Sequence, residues 1–263
     1  MAQTTPGVIN QALAVGTVGY GVIEASDGNF YAMSLPNLSL KSCADNSSQD
    51  CSYIYQITKN NTLSTYHSFQ EVSPTSANPA NTDGLEPTAL IAGTDGNLYG
   101  ACKIGGPGGF GTIFKIAANG TFTVLASFGV TAVTAGGNGL DPGSNPVGLI
   151  QGIDGNLYFV NASGVYSLNP NDTSGAVTTL ATFPYGLTEG SDPYGYNASS
   201  IVQAGDGNFY LTMGTTPNTL AGDTGVNAGG VVQLTPSGQL NLVHAFALDG
   251  SEEIGRASCR ERV

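Results

Sequence analysis

The sequence predicts an all-β chain, folded as a β-propeller-like array of four-stranded antiparallel blades. Three observations carry that prediction. Asp-Gly-Asn followed by Phe or Leu and then Tyr recurs four times, opening at Asp27, Asp95, Asp154 and Asp206. Each recurrence sits inside the same series of short apolar runs. The spacings of the Asp residues, 68, 59 and 52, therefore vary through the connections and not the strands. Thirty-eight Gly and many Ser, Thr and Asn accompany an ordinary 40% of hydrophobic residues, which is the balance of a turn-rich β protein and not of a disordered chain. One small antiparallel sheet per period, repeated radially, is the signature of a propeller.

The second copy, residues 88–128, shows the unit most plainly. An apolar run over 88–94 ends at Asp95-Gly96. A second run over 97–103 carries Leu98 and Tyr99, and a Gly-rich loop fills 105–111. A third run over 112–117 alternates through Ile113, Phe114 and Ile116, Asn119-Gly120 turns the chain, and a fourth run ends at Phe128. Asp-Gly and Asn-Gly between alternating apolar runs are strong hairpin signals, because tight hairpins need positive φ.

The remaining elements follow in order. Residues 1–19 read as an N-terminal segment or the remnant of a preceding blade. Blade 1 spans 20–69, with a long connection between its second and third strands. Blade 2 spans 88–128, blade 3 spans 147–183 and is the most compact, and blade 4 spans 199–246. The four blades form one domain, and the array is expected to be truncated. First strands should lie nearest the axis, ending in the small residues Ala25, Gly93, Gly152 and Gly205 where neighbouring blades converge. The tyrosines after Asp-Gly-Asn should be core or inter-blade aromatics whose hydroxyls reach a polar partner.

Asp27-Gly28, Asp95-Gly96, Asp154-Gly155 and Asp206-Gly207 are read as structural turns, since Asp before Gly is what such a turn selects. A calcium reading fails on spacing: the alternating acidic ligands of an EF-hand loop are missing. His67 and His244 hold matching places two residues before Phe69 and Phe246, which marks a structural position. No nucleophile elbow, zinc-protease or phosphate-loop motif is present. No catalytic residue, metal site or cofactor is expected.

Residues 95–100 (Asp-Gly-Asn-Leu-Tyr-Gly), 111–116 (Gly-Thr-Ile-Phe-Lys-Ile) and 125–128 (Leu-Ala-Ser-Phe) resemble the Gloeo/Verruco, or GloVer, tandem repeat. The resemblance covers about residues 20–250 and is tightest in the second copy. That family occurs in bacterial proteins that often carry a C-terminal surface-sorting anchor. The resemblance implies a propeller-like array and export, and carries no catalytic residues with it. Residues 253–263 resemble instead the translation of a sequencing adapter, and their basic character matches nothing upstream.

Without that stretch, which holds every Arg, four Lys face 17 of the 19 acidic residues. Such a chain has no basic footprint, which argues against a nucleic-acid partner. No apolar run reaches membrane-spanning length. Residues 1–16 lack the charged start of a signal peptide, so export would need a leader outside this fragment. In an exported chain, Cys43 and Cys51 around a polar loop read as a local disulfide, the alternative being two free thiols in a cytosolic one. Cys102 reads as a small buried hydrophobe.

A meander sends alternate connections to opposite ends of its sheet. The Asp-Gly turns share one end with the third-to-fourth turns, and the long loops and inter-blade linkers share the other. Phe110, Tyr185, Tyr194 and Tyr196, with nearby carboxylates, are the expected binding residues on that long-loop face. The leading expectation is an exported or cell-surface module binding a glycan or a protein. An extracellular propeller lyase or hydrolase is the alternative, because Asp-Gly-Asn-Leu-Tyr also resembles the blade turns of antibiotic-inactivating lyase propellers, whose corresponding aromatic is usually Trp. A structural spacer in a larger surface protein is the third reading.

Overall fold

The structure, a computed structural model, describes residues 18–34, 52–70, 80–129, 142–183, 196–215 and 229–245. Every regular element among them is a strand. Blade 1 comprises β1 (Val18–Glu24), β2 (Phe30–Ser34), β3 (Tyr53–Ile57) and β4 (Leu63–Ser68). Blade 2 comprises β5 (Leu85–Ala92), β6 (Leu98–Ile104), β7 (Thr112–Ile116) and β8 (Phe122–Ser127). Blade 3 comprises β9 (Gly148–Gln151), β10 (Leu157–Val160), β11 (Gly164–Leu168) and β12 (Val177–Thr182). Blade 4 comprises β13 (Tyr196–Gln203), β14 (Phe209–Thr215), β15 (Gly230–Leu234) and β16 (Leu240–Ala245). Each blade is a separate four-stranded sheet in sequence order, antiparallel throughout.

The first strands are innermost: β1 packs on β5, β5 on β9, and β9 on β13. No comparable packing joins β13 to β1 among the described residues. Each sheet turns one face toward the blade before it, the leading face, and one toward the blade after it, the trailing face. Period-two alternation along the strands separates the two sets of side chains.

Three apolar clusters fill the three joints. Between blades 1 and 2, Tyr31, Met33 and Ile54 meet Leu90, Leu98 and Phe114. Between blades 2 and 3, Tyr99, Ala101 and Ile113 meet Leu149, Leu157 and Tyr166. Between blades 3 and 4, Val160 and Val165 meet Ile201, Phe209 and Val232. Sheet faces stacked this way bury apolar area on both sides, the main favourable term in folding.

One irregularity recurs in every blade. The pairing of the third and fourth strands shifts at Ile54/Tyr55, Ile113/Phe114, Val165/Tyr166 and Val231/Val232. A bulge re-aims the extra residue. Here that residue is Tyr66, Leu125, Leu180 or Val243, and the first three pack against the joint with the following blade.

Two expectations are corrected. β5 begins at Leu85, three residues before the expected start of blade 2 at 88. Pro87 sits at a register shift on the innermost edge strand, where a missing N–H is tolerated. The small residue of the fourth copy is Ala204, not Gly205: the Ala204 amide donates to the Asn208 carbonyl as those of Ala25, Gly93 and Gly152 do in their copies. The cause of smallness also differs. A Cβ on Gly93 would lie 2.6 Å from the Tyr99 ring, and one on Gly152 2.6 Å from the Tyr158 ring. The turn's own tyrosine and aspartate, and not convergence at the axis, exclude bulk there.

Candidate functional site

The two ends of the blades differ in kind. At the turn end, all four Asp-Gly-Asn-x-Tyr motifs fold into one clamp. In blade 2, the Asn97 amide donates to Asp95 Oδ1 at 3.2 Å, Asn97 Nδ2 donates to Asp95 Oδ2 at 2.6 Å, and the Tyr99 hydroxyl donates to the same oxygen at 2.6 Å. Asp27, Asp154 and Asp206 accept the same three bonds from their own Asn and Tyr. Gly28, Gly96, Gly155 and Gly207 take φ of 72°, 82°, 83° and 82°, the left-handed region open to glycine.

The clamp's electrostatics follow from these bonds. Partial burial raises the Asp95 pKa, but the bonds from Tyr99 and Asn97 outweigh it and hold the carboxyl below its usual range. Asp27 and Asp154 behave alike, and Asp206, held chiefly by the Asn208 side chain, is also lowered. The phenols move the other way. Burial first, and then the bonded carboxylate, push Tyr31, Tyr99 and Tyr158 up to about 12. The carboxylates are thus spent on local order.

The clamps are also wired to neighbouring strands and blades. Asn29 and Asn97 Oδ1 accept the amides of Lys59 and Ala118, tying the two turns of a blade together. Gln56 and Gln233 Nε2 donate to the hydroxyls of Tyr31 and Tyr210. Gln151 Oε1 accepts the Thr94 amide of the preceding blade at 2.8 Å while its Nε2 donates to the Gly155 carbonyl. Gln203 repeats the device one joint later, toward Ile153 and Gly207. These Gln bridges were not read from the sequence, although Gln three residues before Asp in copies three and four was a visible signal.

At the long-loop end, one buried side chain organises the entry to blade 2. Asn81 Nδ2 donates to the carbonyls of Gln70 and Gly84, and its Oδ1 accepts the amides of Gly84 and Gly106. Asp83 beside it accepts the Gln70 amide at 3.0 Å and faces His67 Nε2 at 3.2 Å. The His67 ring lies flat on Phe122, with centroids 4.0 Å apart and planes within 4°. His67 therefore joins the outermost strands of two blades. Neither Asn81 nor Asp83 belongs to the repeat, which is why periodicity did not single them out.

The Gly-rich loop 105–111 is knitted to the same end. The Phe110 amide donates to the Phe128 carbonyl, and the Asn145 amide donates to the Phe110 carbonyl at 2.7 Å. Phe110 is half-buried and packs against the cluster between blades 2 and 3. Tyr196 begins β13 and pairs with Thr215, at the long-loop end of blade 4. Tyr185, Tyr194, Cys43 and Cys51 lie outside the described residues. Cys102 is free and fully buried, and burial drives its thiol pKa well up.

Two clefts among the described residues lie between blades. One of about 180 Å³ between blades 1 and 2 is lined by Ala25, Asp27, Tyr31, Tyr66, Leu98 and Ala117. The other, about 610 Å³, runs between β12 and the β15–β16 turn, along Thr179–Thr182 and Ser237–Leu240. In the first, Asp27 is already engaged by Asn29 and Tyr31. No group of three or more metal-ligating side chains gathers among the described residues.

Four separate four-stranded meanders, stacked through their first strands, define a β-propeller-like array. No protein-family model matches the chain, and no curated protein matches it in sequence. Among solved structures it is similar to virginiamycin B lyase from Staphylococcus aureus, with a TM-score of 0.47 and 13% identity over 88% of this chain and 56% of that one. It is similar to a gluconolactonase from Xanthomonas campestris, with a TM-score of 0.47 and 14% identity over 84% of this chain and 60% of that one. An extracellular domain from B. thetaiotaomicron gives a TM-score of 0.47 and 10% identity, over 86% of this chain and 24% of that one. The chain spans less than two thirds of each of these structures.

Proposed function

We propose that this chain is an exported or cell-surface repeat propeller, of the GloVer-like kind its repeats resemble, that binds a glycan or protein partner through the long-loop end of its blades. The observation behind this reading is the contrast between the ends. The turn end repeats one clamp four times, with its carboxylates, amides and phenols bonded to one another. The long-loop end carries connections that differ from blade to blade, and variable loops on a rigid scaffold are where recognition concentrates. Tyr185, Tyr194, Tyr196 and Phe110 would supply aromatic surface, and Asn and Asp side chains would meet hydroxyls. A chain of net charge −12 repels polyanions, so neutral or cationic polymers are the favoured ligands.

A pull-down on insoluble neutral polysaccharides tests the reading, comparing the chain with its Tyr194→Ala plus Tyr196→Ala variant. Retention of the first and loss of the second supports it. Equal retention, or preference for sulfated or uronic polymers, contradicts it.

The His67–Asp83 pair is the one observation that favours a lyase or hydrolase, since a carboxylate at 3.2 Å can orient an imidazole for proton transfer. Its ring, however, lies against Phe122 and Phe69 on an outermost strand, away from the axis. Chemical turnover of a retained polymer, abolished by His67→Asn, would establish the enzymatic reading over the binding one.

A further inference from the structure

We propose that the cleft between blades 1 and 2 at the turn end binds a small aromatic primary amide. The chain itself supplies the template. At the joint between blades 2 and 3, the Gln151 carboxamide lies between two turns: its Oε1 accepts the Thr94 amide at 2.8 Å, and its Nε2 donates to the Gly155 carbonyl at 3.1 Å. At the joint between blades 3 and 4, the Gln203 carboxamide takes the Ile153 amide at 2.9 Å and the Gly207 carbonyl at 3.1 Å. Gln151 is the register partner of Leu157, and Gln203 that of Phe209. At the joint between blades 1 and 2 the corresponding pair is Ala92 and Leu98, so the carboxamide has no counterpart there.

The two backbone groups that a Gln would join are nevertheless in place. Ser26 directly precedes the Asp of its turn, as Thr94 and Ile153 do, and Gly96 directly follows its Asp, as Gly155 and Gly207 do. Among the described residues, no hydrogen bond reaches the Ser26 amide or the Gly96 carbonyl. The two residues meet across the joint: Ser26 Oγ lies 3.5 Å from the position a Cβ would take on Gly96. Both line the cavity of about 180 Å³, whose walls include Tyr31, Tyr66, Leu98 and Ile116. Tyr31 and Tyr66 stand edge to face there, with centroids 5.0 Å apart.

These groups define the ligand. It must accept from one N–H and donate to one C=O through the two ends of a single carboxamide, as Gln151 and Gln203 do. A trans secondary amide points its N–H opposite to its C=O and cannot repeat that fork. A carboxylate has no hydrogen for the Gly96 carbonyl, and it would meet the Asp27 carboxylate on the cavity wall. The aromatic and aliphatic walls suit a flat ring, and the volume is below that of drug-sized pockets, so the body is small. This site lies at the opposite end from the long loops and does not rest on the binding role given to them.

Titration of the isotope-labelled full chain with benzamide, followed by amide NMR shifts, tests this. Saturable shifts are expected at Ser26 and Asn97, the latter beside the Gly96 carbonyl. N,N-dimethylbenzamide and benzoate should each bind about tenfold more weakly, the scale of a hydrogen bond left unmade. Ala92→Gln should install the repeat's own bridge, raising the melting temperature and weakening benzamide about tenfold by filling the site from within. Gln151→Ala should vacate the next joint, so that benzamide also shifts Thr94. Absence of saturable shifts at Ser26 overturns the proposal, as does equal binding of dimethylbenzamide or benzamide binding unchanged by Ala92→Gln. Tighter binding of a terminally blocked Gln peptide than of benzamide would overturn the small-molecule assignment in favour of a protein side chain.

Discussion

The Tyr99 hydroxyl reaches back four residues across the turn and donates to Asp95 Oδ2 at 2.6 Å, although the Tyr99 residue is otherwise fully buried. One bond thus anchors the strand that follows the turn to the turn itself, and ties the inter-blade core to the surface. Tyr99→Phe should lower unfolding free energy by about 1.5 kcal/mol, the scale of a hydrogen bond to a charged group. Tyr210→Phe in the exposed clamp of blade 4 should cost less. Urea denaturation of both variants checks the order, and an equal effect would contradict it.

The same clamps set the pH range of stability. The carboxylates of Asp27, Asp95, Asp154 and Asp206 have pKa values lowered from 3.8 in the fold, so their contribution is present above about pH 4 and is lost as pH falls further. Tyr31, Tyr99 and Tyr158 are raised from 10.0 to about 12, so theirs is complete below pH 10 and is lost as pH rises toward 12. Urea midpoints across pH should show acid and alkaline losses around a broad plateau. A steady decline between pH 6 and 9, outside both windows, would mean other groups control stability.

Gly205 and Gly207 separate backbone strain from crowding. A Cβ at either meets nothing within 4 Å, but only Gly207 has positive φ, at 82°. Gly207→Ala should cost roughly 1 kcal/mol, the scale of the left-handed penalty. Gly205→Ala should be neutral or stabilising by a few tenths, through the unfolded chain. Equal melting temperatures for the two variants would contradict the turn assignment.

Asn81→Ala would orphan the amides of Gly84 and Gly106 and the carbonyls of Gln70 and Gly84 at once. We expect a loss of about 3 kcal/mol, from unsatisfied buried polar groups. Hydrogen exchange should quicken at Gly84 and Gly106 before it does in blade 4. Unchanged exchange there would show that Asn81 is dispensable.

The repeat was legible because turn chemistry and period-two alternation are local. The third strand of blade 2, read over 112–117, ends one residue earlier, at Ile116. Tyr99 was expected to find a polar partner, but the partner's identity needed the turn's geometry. Asn81 and the Gln151 and Gln203 bridges escaped because their partners lie in other blades or outside the repeat. The binding residues were placed by topology alone, and of the four only Phe110 and Tyr196 lie among the described residues, Tyr196 through its backbone.

The division of labour between the two ends is tested most directly by hydrogen–deuterium exchange with and without a soluble oligosaccharide of whichever neutral polymer retains the chain. The account predicts slowed exchange in the Gly-rich loop 105–111, at 142–147 and at the start of β13, with the Asp27, Asp95, Asp154 and Asp206 turns unchanged. Slowing confined to those four turns would contradict it.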